Sequence, residues 1–374
     1  MSTTDPKLKI ARSKNLAPGL TLSSLLRNES GIDTVVALFK AHLDRHAASN
    51  SPINLDDFFT YTTFDIVGES IFSKQFGFLR EARDIGGSIR NSFYQNAYVA
   101  VVGFYPWFHG LIANPWMTAS GLLPFGHIVD TAMGAVKDRE ANPDARFDVL
   151  SHWFRALAEH PDRMSLFDVH SAATNAVAAG SDTVATGLQS FVYHMIRHPH
   201  AWAKAREEID AAGLPDAEVI AYGDAQNLTY LQACIKEALR VFSPAPMTLP
   251  RVAPAGGLSI GDRVIPEGTI VSVCPWVIHA STEFWGPDAK EFKPERWLSG
   301  DAARLEKYYM PFGLGYASCP GQNLARIQLS KILATLVRDY DFEQVDRNAD
   351  WKYHTFFVVA PYGWPVRVTK RSRA

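Results

Sequence analysis

One cysteine at the tip of a glycine-rich decapeptide carries the strongest chemical signal in the chain. The segment reads Phe312-Gly313-Leu314-Gly315-Tyr316-Ala317-Ser318-Cys319-Pro320-Gly321, and a helix-forming run, 322–339, follows it. This spacing predicts Cys319 as the helix N-cap and Pro320 as its first residue, where a missing N–H costs nothing. The sulfur then faces unpaired amide N–H groups and the positive end of a helix, and both favour a thiolate. The dipole contributes only about 0.3–1 kcal/mol, under one pKa unit, so a metal must complete the ionisation. Gly315 and Gly321 allow sharp turns and a close approach to a flat partner. Taken alone, the decapeptide suits a buried structural cysteine equally well.

Two further constellations lie upstream. Ala179-Gly180-Ser181-Asp182-Thr183 interrupts the apolar run Leu166–Arg197, which is predicted as one long helix. Glycine inside a helix costs roughly 0.5–1 kcal/mol against alanine, so Gly180 needs a reason. A planar ligand approaching closely is one. A local opening, with the Thr183 hydroxyl bonding the Ala179 carbonyl, is another. A small-residue helix contact through Ala172, Ala173 and Ala176 serves equally. An opened groove beside a hydroxyl and a carboxylate would suit dioxygen and proton relay. Glu237-Ala238-Leu239-Arg240 is the only Glu-x-x-Arg in the chain, and at i, i+3 the two side chains share one helix face. Leu231, Cys234, Ile235, Leu239, Val241 and Phe242 surround the pair with apolar residues, so it is expected to be buried and to need further partners.

Phe312-x-x-Gly315-x-x-x-Cys319-x-Gly321 resembles the haem-ligand loop of the cytochrome P450 superfamily, the haem-thiolate monooxygenases. Ala179–Thr183 is similar to that family's [Ala/Gly]-Gly-x-[Asp/Glu]-Thr motif, and Pro294-Glu295-Arg296-Trp297 to the segment that completes a Glu–Arg–Arg network. The resemblance implies haem b with Cys319 as axial ligand of its iron. Phe312, Gly315, Gly321, Ala179 and Gly180 would line the cofactor. Arg251, in Leu249-Pro250-Arg251, would pair with a propionate, for which a guanidinium fork is well shaped. His279 is similar in placement to a second residue at the cofactor edge. Asp182 and Thr183 would deliver protons, whereas Glu237, Arg240 and Arg296 would hold the loop that holds the haem.

On the substrate side, the resemblance places a cavity among Asn175, Ala179, Ala245, Met247, Thr248, Leu249, Thr355 and Phe356. These are apolar residues with a few hydroxyls and one amide, suited to an uncharged lipophilic molecule of medium size. The implied reaction inserts one oxygen atom of O2 into that molecule, and analogy with fungal-type members implies a role in secondary metabolism. Electrons would come from an NADPH-dependent cytochrome P450 reductase, since the chain has no Gly-x-Gly-x-x-Gly loop. The competing readings are a truncated relative with weak or no haem binding, and a member that isomerises or dehydrates an oxygenated substrate without O2.

The elements that must position these residues are mostly helical. Apolar periodicity predicts helices at Ile32–Ala47, Leu55–Phe72, Phe147–Leu157, Ala201–Ala212, Leu228–Phe242 and Gln322–Tyr340 beside the run already named. Two hairpins are expected, Gly257–Val273 turning at Pro266 and Gly268, and Phe356–Val368 turning at Pro361-Tyr362-Gly363. The fold class is therefore mainly α with small sheets, as in the P450 helical prism, lacking the relatives' first strands and helices. The resemblance runs from about Lys14 to the C-terminus, and residues 1–13 are expected to be a divergent, poorly ordered start. By position, the relatives' haem-contacting aromatic (or His) and Arg fall on Lys9 and Ser13, neither of which matches. Ala317 stands where many members carry a basic residue.

The 374 residues can bury a large core. A formal net charge of −2 gives no reason to invoke nucleic acid. Three scattered cysteines make no disulfide framework and suit a reducing compartment. No window holds the ~18 uninterrupted apolar residues of a spanning helix. The likeness implies the cytosolic face of the endoplasmic reticulum, and the lack of a spanning segment in this chain leaves a soluble cytoplasmic protein as the alternative. Residues 93–123, rich in aromatics and Pro, are a lid, a peripheral membrane contact or, equally, plain core.

Overall fold

Among the described residues, eleven longer helices and eight short strands carry the site. The computed structural model describes residues 5–112, 116, 126–142, 147–248 and 250–372. The helices are α1 (Pro6–Leu16), α2 (Glu29–Ser49), α3 (Leu55–Phe72), α4 (Ser88–Val102), α5 (Gly126–Ala141), α6 (Val149–Glu159), α7 (Leu166–Gly180), α8 (Asp182–Arg197), α9 (Pro199–Ala211), α10 (Thr229–Val241) and α11 (Gln322–Asp339). The strands are β1 (Arg251–Val252), β2 (Leu258–Ile260), β3 (Arg263–Ile265), β4 (Ile270–Val271), β5 (Tyr340–Gln344), β6 (Lys352–Thr355), β7 (Val359–Tyr362) and β8 (Val366–Lys370).

The core forms where helices that are apolar nearly all round meet. Every residue of α11 from Ile327 to Asp339 is buried, and α3 is buried from Tyr61 to Phe72. Such helices need neighbours on all sides: α8 packs against α3, α10 and α11, and α2 against α3. Gly187 permits the close crossing, since a Cβ there would lie 3.1 Å from Leu239 and 3.2 Å from Leu329. Even the lysine in the middle of α11 is satisfied: Lys331 Nζ meets Glu29 at 2.5 Å and Asp33 at 2.7 Å.

Three expectations change. Residues 6–16 form a capped helix, with the Asp5 carboxylate accepting the N–H groups of Lys7 and Leu8, Leu16 buried, and Arg12 bridging Asp168 at 2.8 Å. The continuous helix over 166–197 is two helices that meet at Ser181 (φ −90°, ψ −62°). Both hairpins turn elsewhere. Leu258 pairs with Ile265 around a turn at Gly261 (φ +59°), and the Pro266–Gly268 bend instead delivers β4 back to β1. Thr355 pairs with Val359, so the second turn is Phe356–Val358 and Pro361 sits inside β7. Strand β8 pairs with β5, Tyr340 against Lys370 and Gln344 against Val366.

Candidate active site

The loop before α11 is built around two left-handed glycines, Gly313 (φ +68°) and Gly315 (φ +64°), a conformation that favours glycine. They fold 312–319 back on itself, and the Cys319 N–H donates to the Phe312 carbonyl at 2.7 Å. The helix cap is Gly321, not Cys319, so the cysteine lies two residues before the position expected for it. Its sulfur nonetheless faces the backbone N–H groups of Gly321 and Gln322. Burial pushes the thiol above its usual range, and those two N–H groups pull the other way. Gly321 has φ −85° and room for a Cβ 3.8 Å from the sulfur, so its glycine is not sterically demanded. Nothing lies within 4 Å of a Cβ built on Gly315.

The loop is held from behind by a saturated ionic cluster. Glu237 is fully buried, and its two oxygens accept Arg240 Nη2 (2.7 Å), Arg240 Nε (2.9 Å), Arg296 Nε (2.9 Å), the Lys293 N–H (2.9 Å) and the Trp297 indole N–H (2.9 Å). Arg240 also donates to the carbonyls of His279, Ala289 and Glu291 at 2.6, 2.5 and 2.9 Å. Arg296 reaches the Asp288 carbonyl at 3.0 Å. Satisfied this fully, a buried ion pair offsets its desolvation; with one partner removed it would not. His279 belongs to this cluster rather than to a cofactor edge. Its Nε2 accepts the Met310 N–H at 3.0 Å, its ring stacks on Tyr309, and burial followed by the Arg240 charge lowers its pKa to about 4. One chain of contacts therefore runs Glu237–Arg240–His279–Met310 to the start of the cysteine loop.

In front of the loop, two cations converge on Tyr316. The Lys9 ammonium lies 5.6 Å and the Arg251 guanidinium 5.9 Å from its ring centre. Burial and then the Arg251 charge lower the Lys9 pKa. Like charges gathered at one place fit a ligand that brings two negative groups. Lys9, rejected on sequence, is therefore well placed, and Ser13 one turn on is not needed for this. The donor set also fits haem: a single sulfur, that of Cys319, would supply its metal bond.

At the bend between α7 and α8, Thr183 Oγ1 donates to the Ala179 carbonyl at 2.9 Å, and Ser181 Oγ to that of Val177 at 3.2 Å. The ladder is opened as expected. Gly180 has a different reason from a flat ligand: a Cβ there would lie 2.9 Å from Val67 Cγ2 of α3, so the glycine serves a helix crossing. Asn175 and Ala179 lie exposed one turn apart along the same helix face. Asp182 is half-buried; its Oδ2 accepts the Ser92 hydroxyl and, at 3.2 Å, the Asn96 amide, both from α4. Burial raises its pKa, against the pull of those two donors.

The three expected substrate-facing segments are tied together by one side-chain and one backbone hydrogen bond. Thr186 Oγ1 donates to the Val359 carbonyl (2.7 Å), and the Val359 N–H to the Pro244 carbonyl (3.0 Å). This gathers the bend, the 244–248 segment with Ala245, Met247 and Thr248, and the Thr355–Phe356 turn. Leu249 lies outside the described residues, as do 113–115 and 117–123 of the expected lid. Sequence reasoning missed Ser92, Asn96 and the role of Lys9, since nothing in their own neighbourhoods marks them.

Comparisons with known proteins give the family and the fold. The cytochrome P450 monooxygenase asR2 of Sarocladium schorii is 30% identical over 99% of this chain and 76% of its own length. The cytochrome P450 monooxygenase ACRTS1 of Alternaria alternata is 31% identical over 96% of this chain and 99% of its own. Pisatin demethylase of Fusarium vanettenii is 29% identical over 96% of this chain and 72% of its own. Among solved structures, the cytochrome P450DA heme domain superposes with a TM-score of 0.81 at 19% identity, over 97% of this chain and 77% of that one. The family profile described as Cytochrome P450 matches residues 3–364, which takes in α1 as well as the cysteine loop. The chain belongs to the cytochrome P450 family, the oxidoreductases named as monooxygenases among its relatives.

Proposed function

We propose that this chain inserts one oxygen atom of O2 into an uncharged, lipophilic small molecule, with haem b held through the Cys319 thiolate. The observation that carries the reading is the Cys319 sulfur. It faces two backbone N–H groups at the mouth of α11 and sits on a loop that the Glu237 cluster braces. Those N–H groups favour the negative sulfur, and coordination completes the deprotonation that burial alone opposes. Lys9 and Arg251 would hold the propionates. When bound, the haem supplies the activation of dioxygen and the transfer of one of its atoms.

The protein's own contribution is positioning and proton supply. Thr183, pinned to Ala179, keeps its hydroxyl at the bend. Asp182 beside it is a carboxyl whose raised pKa lets it carry a proton nearer neutrality. Asn175, Ala179, Ala245, Met247, Thr248, Thr355 and Phe356 offer mostly apolar contacts with few polar groups, which excludes water and favours an uncharged guest. Electrons would come from an NADPH-dependent reductase. The fungal relatives, one of them named a pisatin demethylase, support a secondary metabolite as substrate. No helix of the described residues is long and apolar enough to cross a membrane. The exposed Phe104, Tyr105, Trp107 and Leu111 support peripheral contact with one, at the endoplasmic reticulum.

Screening uncharged lipophilic compounds against charged analogues, with isotopically labelled O2 and a fungal reductase, tests this. One labelled atom should enter a product from the uncharged set. Labelled product arising only from charged compounds, or turnover without O2, would overturn it.

A further inference from the structure

A second group of nitrogen donors lies where α8 hands over to α9. His194, His198 and His200 line a cavity of about 490 Å3 whose other wall is the loop 290–295. Pro199, the first residue of α9, sets the turn that separates His198 from His200. His198 closes the end of α8 with its ring, whose Nδ1 lies 2.7 Å from the His194 carbonyl. A carbonyl only accepts, so Nδ1 carries the proton and Nε2 of the neutral ring keeps its lone pair. A histidine that donates one ring nitrogen to a backbone carbonyl and offers the other is in the form that ligates metals. The buried ring of Phe292 steadies it, 5.0 Å from the His198 ring and stacked 5.3 Å from that of His194. His200 is exposed and holds its ring 6.0 Å from that of His198. An ion about 2 Å from one nitrogen of each ring stands about 3 Å from each ring centre. The two rings are therefore within the span of one shared ion.

We propose that His198 and His200 form a site for a divalent transition metal ion of the zinc or copper kind. Among the described residues no group of three or more His, Cys, Asp or Glu could hold an ion, so two imidazoles are the protein's share and water completes the shell. Nitrogen ligands select zinc, copper or nickel over magnesium, which prefers oxygen. Glu291 and Glu295 bring negative charge to the same cavity. Of the two lysines that line it, Lys290 and Lys293, the second is engaged by Asp288 at 2.7 Å. A bound ion locks the turn between α8 and α9 against the loop 290–295. On either side of Phe292, that loop's Glu291 carbonyl accepts Arg240 and its Lys293 N–H donates to Glu237.

The test is a calorimetric titration of the untagged, hemin-loaded chain with zinc chloride. One zinc per chain should bind. His198→Gln and His200→Gln should each weaken binding at least about tenfold, and the double variant little further, because a lone imidazole no longer chelates. His160→Gln, at an exposed histidine elsewhere, should leave the affinity unchanged. Zinc should raise the melting temperature of the native chain and of His160→Gln, and of neither His198→Gln nor His200→Gln. Copper should displace the zinc, and a large excess of magnesium should not. Zinc binding that survives both substitutions, displacement by magnesium, or no binding to the native chain would overturn the site.

Discussion

The Glu237 cluster and the Asp182–Thr183 bend both place charged groups inside the protein, yet they are constructed in opposite ways. Glu237 is fully buried and accepts five N–H donors, two guanidinium groups among them. Asp182 is half-buried and holds two neutral donors, both from a lightly packed helix. The first carboxylate is over-determined; the second is free to change its proton. In this molecule rigidity is concentrated behind the cysteine loop and adaptability in front of it. That division suits a site that must hold one bond fixed while admitting a guest.

The contrast breaks most visibly at the cluster. Glu237→Ala strands two buried guanidinium groups and should cost about 3–5 kcal/mol. Equilibrium unfolding should register this as a large fall in midpoint, with loss of haem retention; a change under about 1 kcal/mol would contradict the assigned role. Next comes pH. An unfolded imidazole takes its proton near 6.5, while folded His279 resists until about 4. Between those values the unfolded chain binds more protons, so stability falls as pH drops through that window, by of order 3 kcal/mol in full. Protonation at Nε2 would also displace the Met310 N–H. His279→Gln keeps an acceptor and should flatten the curve between pH 6.5 and 4. His194, lowered to about 3 by burial, acts with the same sign and leaves a residual slope. An unchanged curve would contradict the assignment.

Effects shrink toward the bend. Gly180→Ala pushes a methyl to 2.9 Å from Val67 and should cost about 1–3 kcal/mol, less the roughly 0.5–1 kcal/mol gained in helix propensity. A net stabilisation would show that the crossing has slack. Thr183→Ala removes one exposed bond and should change stability by under about 1 kcal/mol. Product formed per NADPH should nonetheless fall at least about tenfold, within the range of lost proton transfer. Undiminished yield would favour chemistry that does not need dioxygen.

Much of this was legible in the amino-acid sequence, for identifiable reasons. Leu55–Phe72 is a helix over the predicted range, since its strong apolar content acts locally, although the residue that ends it in the left-handed conformation is Ser73 (φ +54°) and not a glycine. The Thr183–Ala179 bond followed from helix geometry alone. The bend at Ser181 did not, because serine has no strong helix-breaking preference and Val67 lies on a distant helix. The hairpin turns were misread at Pro266–Gly268 and Pro361–Gly363. Proline and glycine mark bends, but β4 pairs with β1 and β8 with β5, and such registers are set by distant partners. Cys319 was displaced from the cap by two residues because Gly321 takes that place. Lys9 failed a pattern that asks for an aromatic and an arginine; only the fold brings it and Arg251 to one ring.

A sulfur–iron bond at Cys319 is the claim on which the rest depends, and the carbon monoxide spectrum of the reduced, hemin-loaded protein tests it most directly. The native chain should show the absorption of a thiolate-ligated haem, and Cys319→Ser should lose it while keeping the native helix content and melting temperature. A thiolate spectrum that survives in Cys319→Ser, or one that never forms in the native chain, would contradict it.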